Sequence, residues 1–288
     1  MKEEKMRLVL FVVFAIVIGW MTILMIPLLG NEYQSVASTI ILAAMMFSPV
    51  LANVLTRLIT KEGFANFYLK PNFKGNSKKY VLIFFGPTFL LFLSGIVYFL
   101  LRPSAFDREL TQLHALVTSP THSAGLFLLV GIAQVVLLGP VINLIPTLGE
   151  ELGWRGYLLP KLRLFCNDRM SLLISGAIWG FWHLPAIVMG HNYGTSYPGY
   201  PYLGILMMIF FCIMLGIIEG YVTITMKSAI PAAMIHSTVN AGAALPMLLI
   251  KGQYNPLLGP AITGPLGAIP FIIVAIILFI RVGKEKNV

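Results

Sequence analysis

The sequence predicts an all-α, polytopic membrane protein, a bundle of about eight transmembrane helices with both termini in the cytoplasm. Three observations predict this fold class. Of the 288 residues, 58% are hydrophobic and only 11% are charged, whereas about 25% of the residues of a globular protein are charged. Long apolar runs recur along the chain, and the Lys and Arg residues lie in the short segments between them. This composition excludes a water-soluble globule, a disordered chain and a coiled coil.

The apolar runs define the elements in order. A helix needs about 20 mostly apolar residues to cross the roughly 30 Å hydrocarbon core of a bilayer. The predicted spans are 8–29, 36–56, 80–101, 124–147, 171–190, 202–226, 230–250 and 264–282. The first run has no small-x-small cleavage pattern, so we interpret it as an uncleaved span. Because no repeat or long linker divides the chain, residues 1–288 are expected to form one membrane domain, with its functional motifs within 125–245.

The basic residues orient the predicted bundle. With eight spans, 17 of the 20 Lys and Arg residues fall on the side that holds both termini, and the other side has Arg102, Arg108 and Lys251. Because cytoplasmic loops carry the excess of Lys and Arg, both termini are expected in the cytoplasm. The net charge of +9 therefore indicates membrane topology rather than nucleic-acid binding. Cys166 and Cys212 are too far apart for a Cys-x-x-Cys metal site and do not indicate a disulfide scaffold.

Few ionisable residues lie within the apolar runs, and such residues usually mark functional sites because burying them in lipid is costly. They are Glu150, Glu151, Glu219, His183 and His236. The other histidines, His114, His122 and His191, fall in predicted extracytoplasmic loops and are expected to be solvated.

Glu150 and Glu151 precede Arg155 at the end of the fourth predicted span. On a helix, Glu151 and Arg155 are about 40° apart, whereas Glu150 and Arg155 are about 140° apart. Glu151 can therefore pair with Arg155, while Glu150 remains available for chemistry. An alternative is structural, because Thr147-x-x-Glu150 also fits the capping box of a helix start.

Two further pairs have helical i, i+4 spacing. Trp179 shares a helix face with His183 and can hold the imidazole in place, and His236 shares a face with Asn240. A packed core histidine and polar contacts between helices are the structural alternatives. Together with Glu150, these residues form a set suited to hydrolysis. Glu150 would act as general base on a water with help from His183, and His236 and Asn240 would stabilise the oxyanion.

The order and spacing of these residues resemble the CPBP intramembrane proteases, the Abi family, which includes CAAX prenyl endopeptidases and bacteriocin-processing enzymes. The motifs are Glu150-Glu151-x-x-x-Arg155, Trp179-x-x-x-His183 and His236-x-x-x-Asn240. The resemblance implies an intramembrane endopeptidase, similar to CAAX prenyl endopeptidases, that cleaves near the cytoplasmic membrane face.

The resemblance also assigns roles to these residues. It implies that Glu150 and His183 activate water, that His236 and Asn240 stabilise the oxyanion, and that Glu151 and Arg155 support the site. Trp179 takes the place of the usual Phe and is counted among the supporting residues. Glu219 matches no motif and is expected to face the bundle interior with a polar partner, with contact to the substrate as the alternative.

The family carries a metalloprotease label, so Glu150, His183 and His236 are also candidate zinc ligands. The same residues suffice for a metal-free, glutamate-activated water, and no cofactor is certain. The expected partners are peptide or protein substrates, including lipidated or membrane-anchored ones, and membrane lipids, with no nucleic acid. The expected location is the cell membrane, with the active site toward the cytoplasm.

Two other functions remain open from the sequence. A catalytically idle family member would act as a bacteriocin immunity or scaffold membrane protein through binding alone. A proton-coupled transporter would use Glu150, Glu219, His183 and His236 as a relay. There is no HExxH, GxSxG or Walker motif to indicate a zincin, a serine hydrolase or an ATPase.

Overall fold

The computed structural model describes residues 1–117 and 123–282. Their regular structure is helical, apart from one isolated antiparallel bridge between Phe106 and Ile250. The predicted all-α class is therefore confirmed. His122, Lys284 and Lys286 lie outside the described residues.

In chain order, the helices of the described residues are α1 (Lys2–Leu28), α2 (Val36–Met45), α3 (Ser48–Ile59), α4 (Ser77–Leu101), α5 (Thr111–Leu116), α6 (Ala124–Ile142), α7 (Leu144–Gly153), α8 (Leu159–Leu162), α9 (Asp168–Trp182), α10 (Leu184–Val188), α11 (Tyr202–Met226), α12 (Ile230–Gly242) and α13 (Ile269–Val282). A π-helical segment, Trp154–Leu158, connects α7 to α8, and short 3-10 helices lie at Pro103–Ala105 and Leu245–Leu249.

Within the described residues, six helical segments are long and apolar enough to cross a membrane. They are Lys2–Leu28, Val36–Ile59, Ser77–Leu101, Ala124–Ile142, Tyr202–Met226 and Ile230–Leu249. The chain is therefore a multi-pass membrane protein. The fifth and eighth predicted spans are shorter helices than expected: α9 stops at Trp182, and α13 has 14 residues.

Prolines explain where several helices are interrupted. Pro49 and Pro185 lie at the first positions of α3 and α10, and Pro146 follows the break at Asn143 between α6 and α7. Proline has no backbone N–H and fits the first turn of a helix, so each apolar run restarts there as a new helix. The break between α9 and α10 places His183 at a helix end.

Helices α9 and α11 pack at very close range. A Cβ atom on Gly176 would lie 2.6 Å from Cα of Ile213, and one on Gly180 would lie 2.5 Å from Cα of Ile209. Small residues allow two backbones to approach in this way. The contact fixes the helix that carries Trp179 and His183.

One end of the bundle, which we call the basic end, consists of the start of α1, segments 60–76, 161–168 and 227–229, and the end of α13. Lys161 bridges Glu4 and Glu62 there. The backbone N–H of Ala229 donates to the carbonyl of Tyr68 at 2.9 Å.

The other end, which we call the loop end, consists of segments 29–35, 102–117, 189–201 and 250–268. The backbone N–H of Lys251 donates to the carbonyl of Ala105 at 2.8 Å. The hydroxyl of Tyr193 donates to the carbonyl of Thr263 at 3.0 Å. These contacts hold the segments of the loop end together.

Candidate active site

A cavity of about 940 Å³ brings together the predicted catalytic residues. Its lining includes Glu150 from α7, His183 from the end of α9, and His236 and Asn240 from α12. Trp179 also lines it. Three separate stretches of the chain therefore contribute to one polar site inside an apolar bundle.

Glu150 is buried, with 2% of its surface exposed, and its carboxylate accepts a hydrogen bond from Trp179 Nε1 at 2.8 Å. No described basic side chain lies within ion-pair distance of it. The capping-box alternative is wrong, because α7 begins at Leu144 and the Thr147 hydroxyl instead donates to the carbonyl of Asn143 at 2.8 Å. The carboxylate is thus held by one neutral donor and faces the cavity.

Glu151 has different surroundings, although it is the next residue. Its Oε1 accepts hydrogen bonds from Arg155 Nη1 at 3.1 Å and from His236 Nδ1 at 3.0 Å. The side chain is completely buried and does not line the cavity. The i, i+4 pairing of Glu151 with Arg155 is therefore present.

Arg155 connects Glu151 to a second buried acid. Its Nη2 lies 2.5 Å from Oε2 of Glu219, in an ion pair that is not aligned as a hydrogen bond. Its guanidinium carbon lies 4.1 Å from the centre of the Trp179 ring, as in a cation–π contact. A Cβ on Gly216 would lie 3.2 Å from Nη2, so this glycine leaves room for the guanidinium. The partner of Glu219 is thus Arg155.

The histidine tautomers follow from their partners. His183 Nδ1 lies 2.9 Å from the carbonyl oxygen of Trp179. Because a carbonyl oxygen only accepts, Nδ1 must carry the proton, and Nε2 of a neutral ring keeps its lone pair. His236 Nδ1 likewise donates to Glu151, so its Nε2 is the nitrogen not committed to that carboxylate.

Asn240 is the most accessible of the four predicted catalytic residues. It lines the cavity, is exposed, and has no hydrogen-bond partner among the described residues. Its amide is therefore available to a bound molecule.

His191 was expected to be a solvated loop residue, and in the structure it lies in a loop segment but is only partly exposed. It lines the cavity, its ring stacks on His183 with centroids 6.4 Å apart, and its Nδ1 lies 2.6 Å from the Tyr33 hydroxyl. Gly190, with φ of +96°, turns the chain back so that the His191 N–H reaches the carbonyl of Ala186. The glycine beside His191 is the one sequence signal for this turn.

The predicted zinc ligands are not the residues that lie closest together. Among described residues, the set with ligand atoms within 4.8 Å of one another is Glu151, Glu219 and His236, which could hold a metal ion by distance alone. Arg155 already contacts both carboxylates, and Glu151 accepts the Nδ1 proton of His236. A metal ion would face this guanidinium at close range, so the set fits the arginine better than a second cation.

The cavity opens toward the loop end of the bundle. Its exposed lining residues there include Gln34, Asn192, Thr195, Ser196 and Gln253. No segment of the basic end lines it. The start of α1 and the end of α13 belong to the basic end, whereas the cavity opens at the opposite end. An active site that faces the cytoplasm and cytoplasmic termini were both expected, and this opening makes the two expectations incompatible.

Comparison with known proteins gives a family match. A search of curated proteins finds no match for the chain. Residues 128–242 match the family described as type II CAAX prenyl endopeptidase Rce1-like. The matched range includes all three motifs and Glu219. Residues 128–242 of the chain are therefore similar to the Rce1-like family, which is described as type II CAAX prenyl endopeptidase.

Proposed function

We propose that the protein is an intramembrane endopeptidase, similar to CAAX prenyl endopeptidases, that hydrolyses a peptide bond with a water activated by Glu150 and His183. The observation that supports this most strongly is the shared cavity, in which Glu150, His183, His236 and Asn240 meet within an apolar bundle. A buried carboxylate without a basic partner is suited to accept a proton.

Glu150 takes a proton from the water, and the water oxygen adds to the carbonyl carbon of the substrate. His183 Nε2 accepts a hydrogen bond from the same water and orients it. The carbonyl oxygen becomes an oxyanion, to which Asn240 Nδ2 and His236 Nε2 donate. His236 acts here as an imidazolium, because its Nδ1–H is already donated to Glu151. The C–N bond then breaks, and the proton held by Glu150 passes to the leaving amine.

Glu151, Arg155, Glu219 and Trp179 are positioning residues in this scheme. Glu151 fixes the His236 ring through Nδ1, and Arg155 fixes Glu151. Trp179 contacts the site twice, because its indole N–H orients Glu150 and its carbonyl orients His183. No step in the scheme requires a metal ion.

The proposal is tested with purified protein in lipid nanodiscs and a library of uncharged peptides, with products identified by mass spectrometry. We expect cleavage by the wild type, a roughly 100-fold or larger loss of kcat/KM in His183→Ala, and a comparable loss in Asn240→Ala. His114→Ala is the matched control, because His114 is exposed and lies outside the cavity. Absence of cleavage by the wild type would favour the binding-only alternative. A His183→Ala variant that cleaves as fast as the wild type would contradict the role assigned to His183.

A further inference from the structure

The cavity communicates with only one end of the bundle among the described residues. Its exposed lining residues at the loop end belong to segments 29–35, 189–201 and 250–268. These segments connect α1 to α2, α10 to α11, and α12 to α13. A peptide that reaches Glu150 through this opening must arrive from the side on which these segments lie.

The basic end is closed beneath the site. Trp154, Tyr157 and Leu158 of the π-helical segment are completely buried and lie on the chain between the site and α8. Below them, the Tyr157 hydroxyl donates to Glu62 at 2.8 Å, and Lys161 bridges Glu62 to Glu4. None of these residues lines the cavity. Access from the basic end would require this packed layer to open.

The distribution of charge orients the two ends. The loop end carries Arg102, Arg108 and Lys251, three of the 20 Lys and Arg residues in the sequence. Segment 60–76 and the start of α4 alone carry more, with Lys61, Lys70, Lys74, Lys78 and Lys79. Because short cytoplasmic segments carry the excess of basic residues, the basic end is cytoplasmic and the loop end is extracytoplasmic.

The chemistry of the lining restricts what can enter. The lining contains no Lys or Arg, and its one acid is Glu150. The remaining surface is aromatic, methionine-rich and uncharged polar, with Tyr193, Tyr254, Met45 and Met208 as examples. Three histidines, His183, His191 and His236, also line the cavity, and the charge of a protonated His236 is already matched by Glu151. A charged side chain of the substrate would lose its hydration there without gaining an unpaired ionic partner of opposite sign, apart from a cation at Glu150.

We infer that the cavity takes an uncharged peptide segment from the extracytoplasmic side of the membrane, such as the juxtamembrane part of an anchored protein. This is the reverse of the expected cytoplasm-facing site. The substrate class rests on the proposed function, whereas the side of access does not.

The side of access is measured by cysteine labelling in intact bacterial cells that express the chain. The parent is Cys166→Ser, which keeps the buried Cys212 and gives the blank. Thr195→Cys and Gln253→Cys probe the cavity rim, and Ser77→Cys, at the exposed start of α4, probes the basic end. A membrane-impermeant maleimide should label both rim cysteines in intact cells and Ser77→Cys only after permeabilisation. Labelling of Ser77→Cys in intact cells, or protection of both rim cysteines, would overturn the inference.

A second measurement separates this inference from the proposed function. An impermeant, uncharged peptide is added to right-side-out or inside-out membrane vesicles that contain the wild type. Cleavage should occur in right-side-out vesicles and fall at least 10-fold in inside-out ones. Cleavage confined to inside-out vesicles contradicts the access route. Absence of cleavage in both contradicts the protease proposal and the substrate class, while the labelling result still decides the side of access.

Discussion

Glu150 and Glu151 show how far residue spacing alone can predict a site. Adjacent carboxylates on a helix point about 100° apart, so only one of them can meet Arg155 one turn later. The structure has that pairing for Glu151, and Glu150 faces the cavity. Local spacing was sufficient to predict this pairing, because Glu151 and Arg155 lie within five residues of each other in the sequence.

His191 and Glu219 depend on contacts that are distant in sequence. His191 meets Tyr33 from a segment 158 residues earlier, and Glu219 reaches Arg155 from another helix. No local sequence pattern predicts contacts between residues that lie so far apart in the chain. The sequence could therefore mark Glu219 as buried and polar, but it could not identify its partner or place His191 in the cavity.

His191 gives a prediction about pH. Burial lowers its pKa to about 4, whereas the unfolded chain has a histidine pKa near 6.5. Between these values the unfolded state binds a proton that the folded state does not, so the free energy of unfolding should fall as pH decreases from about 6.5 toward 4. His191→Gln should reduce the loss of Tm between pH 7 and 5, and the exposed His114→Gln should not. Identical pH slopes for wild type and His191→Gln would contradict this.

At the scale of the elements, prolines determine where the apolar runs restart. The predicted spans 36–56 and 171–190 were continuous, and they did not anticipate separate helices after Phe47 and His183. Hydropathy cannot locate these breaks, because the runs remain apolar across them. Two breaks lie directly at the site, since Met46 and His183 both line the cavity.

The close contact between α9 and α11 gives a prediction about a glycine. In Gly180→Ala the new Cβ would lie 2.5 Å from a backbone atom of Ile209, so α9 must move away from α11. We expect a loss of about 1–3 kcal/mol in the free energy of unfolding. We also expect a fall in kcat/KM of at least 10-fold, because Trp179 and His183 move with the helix. Thermal unfolding and peptide cleavage measure the two effects.

Gly125→Ala is the matched control for this substitution, because a Cβ at Gly125 meets no atom within 4 Å. It should leave both the unfolding temperature and the cleavage rate near those of the wild type. A Gly180→Ala variant that is as stable and active as Gly125→Ala would show that the close contact does not position the site.

For the whole molecule, composition was enough to predict a helical membrane protein, because transfer to lipid depends on summed hydropathy. The number of long spans was less predictable, since turns occupy the first residues of the eighth run and leave α13 short. The end at which the cavity opens could not be predicted. It depends on which loops fold over the site rather than on any one helix.

The uncharged lining predicts how substrate charge affects cleavage. Peptides that carry Asp next to the scissile bond should be cleaved at least roughly 10-fold more slowly than the same peptides with Ser. The reason is that the carboxylate of the substrate Asp would lose its hydration beside the carboxylate of Glu150. The measurement is kcat/KM for a matched pair of peptides, with Asp placed far from the scissile bond as a control. Equal rates for both positions of Asp would contradict the prediction.

The most direct test of the account compares Glu150→Gln with Glu151→Gln, by cleavage rate and by thermal unfolding of the same preparations. Glu150→Gln should lower kcat/KM by about 10²- to 10⁴-fold and leave the unfolding temperature close to that of the wild type, because an amide oxygen can still accept from Trp179. Glu151→Gln should cost about 3–5 kcal/mol of stability, because it leaves Arg155 and His236 without their shared carboxylate. A Glu150→Gln enzyme that still cleaves, or a Glu151→Gln protein as stable as the wild type, would contradict the different roles assigned to the two acids.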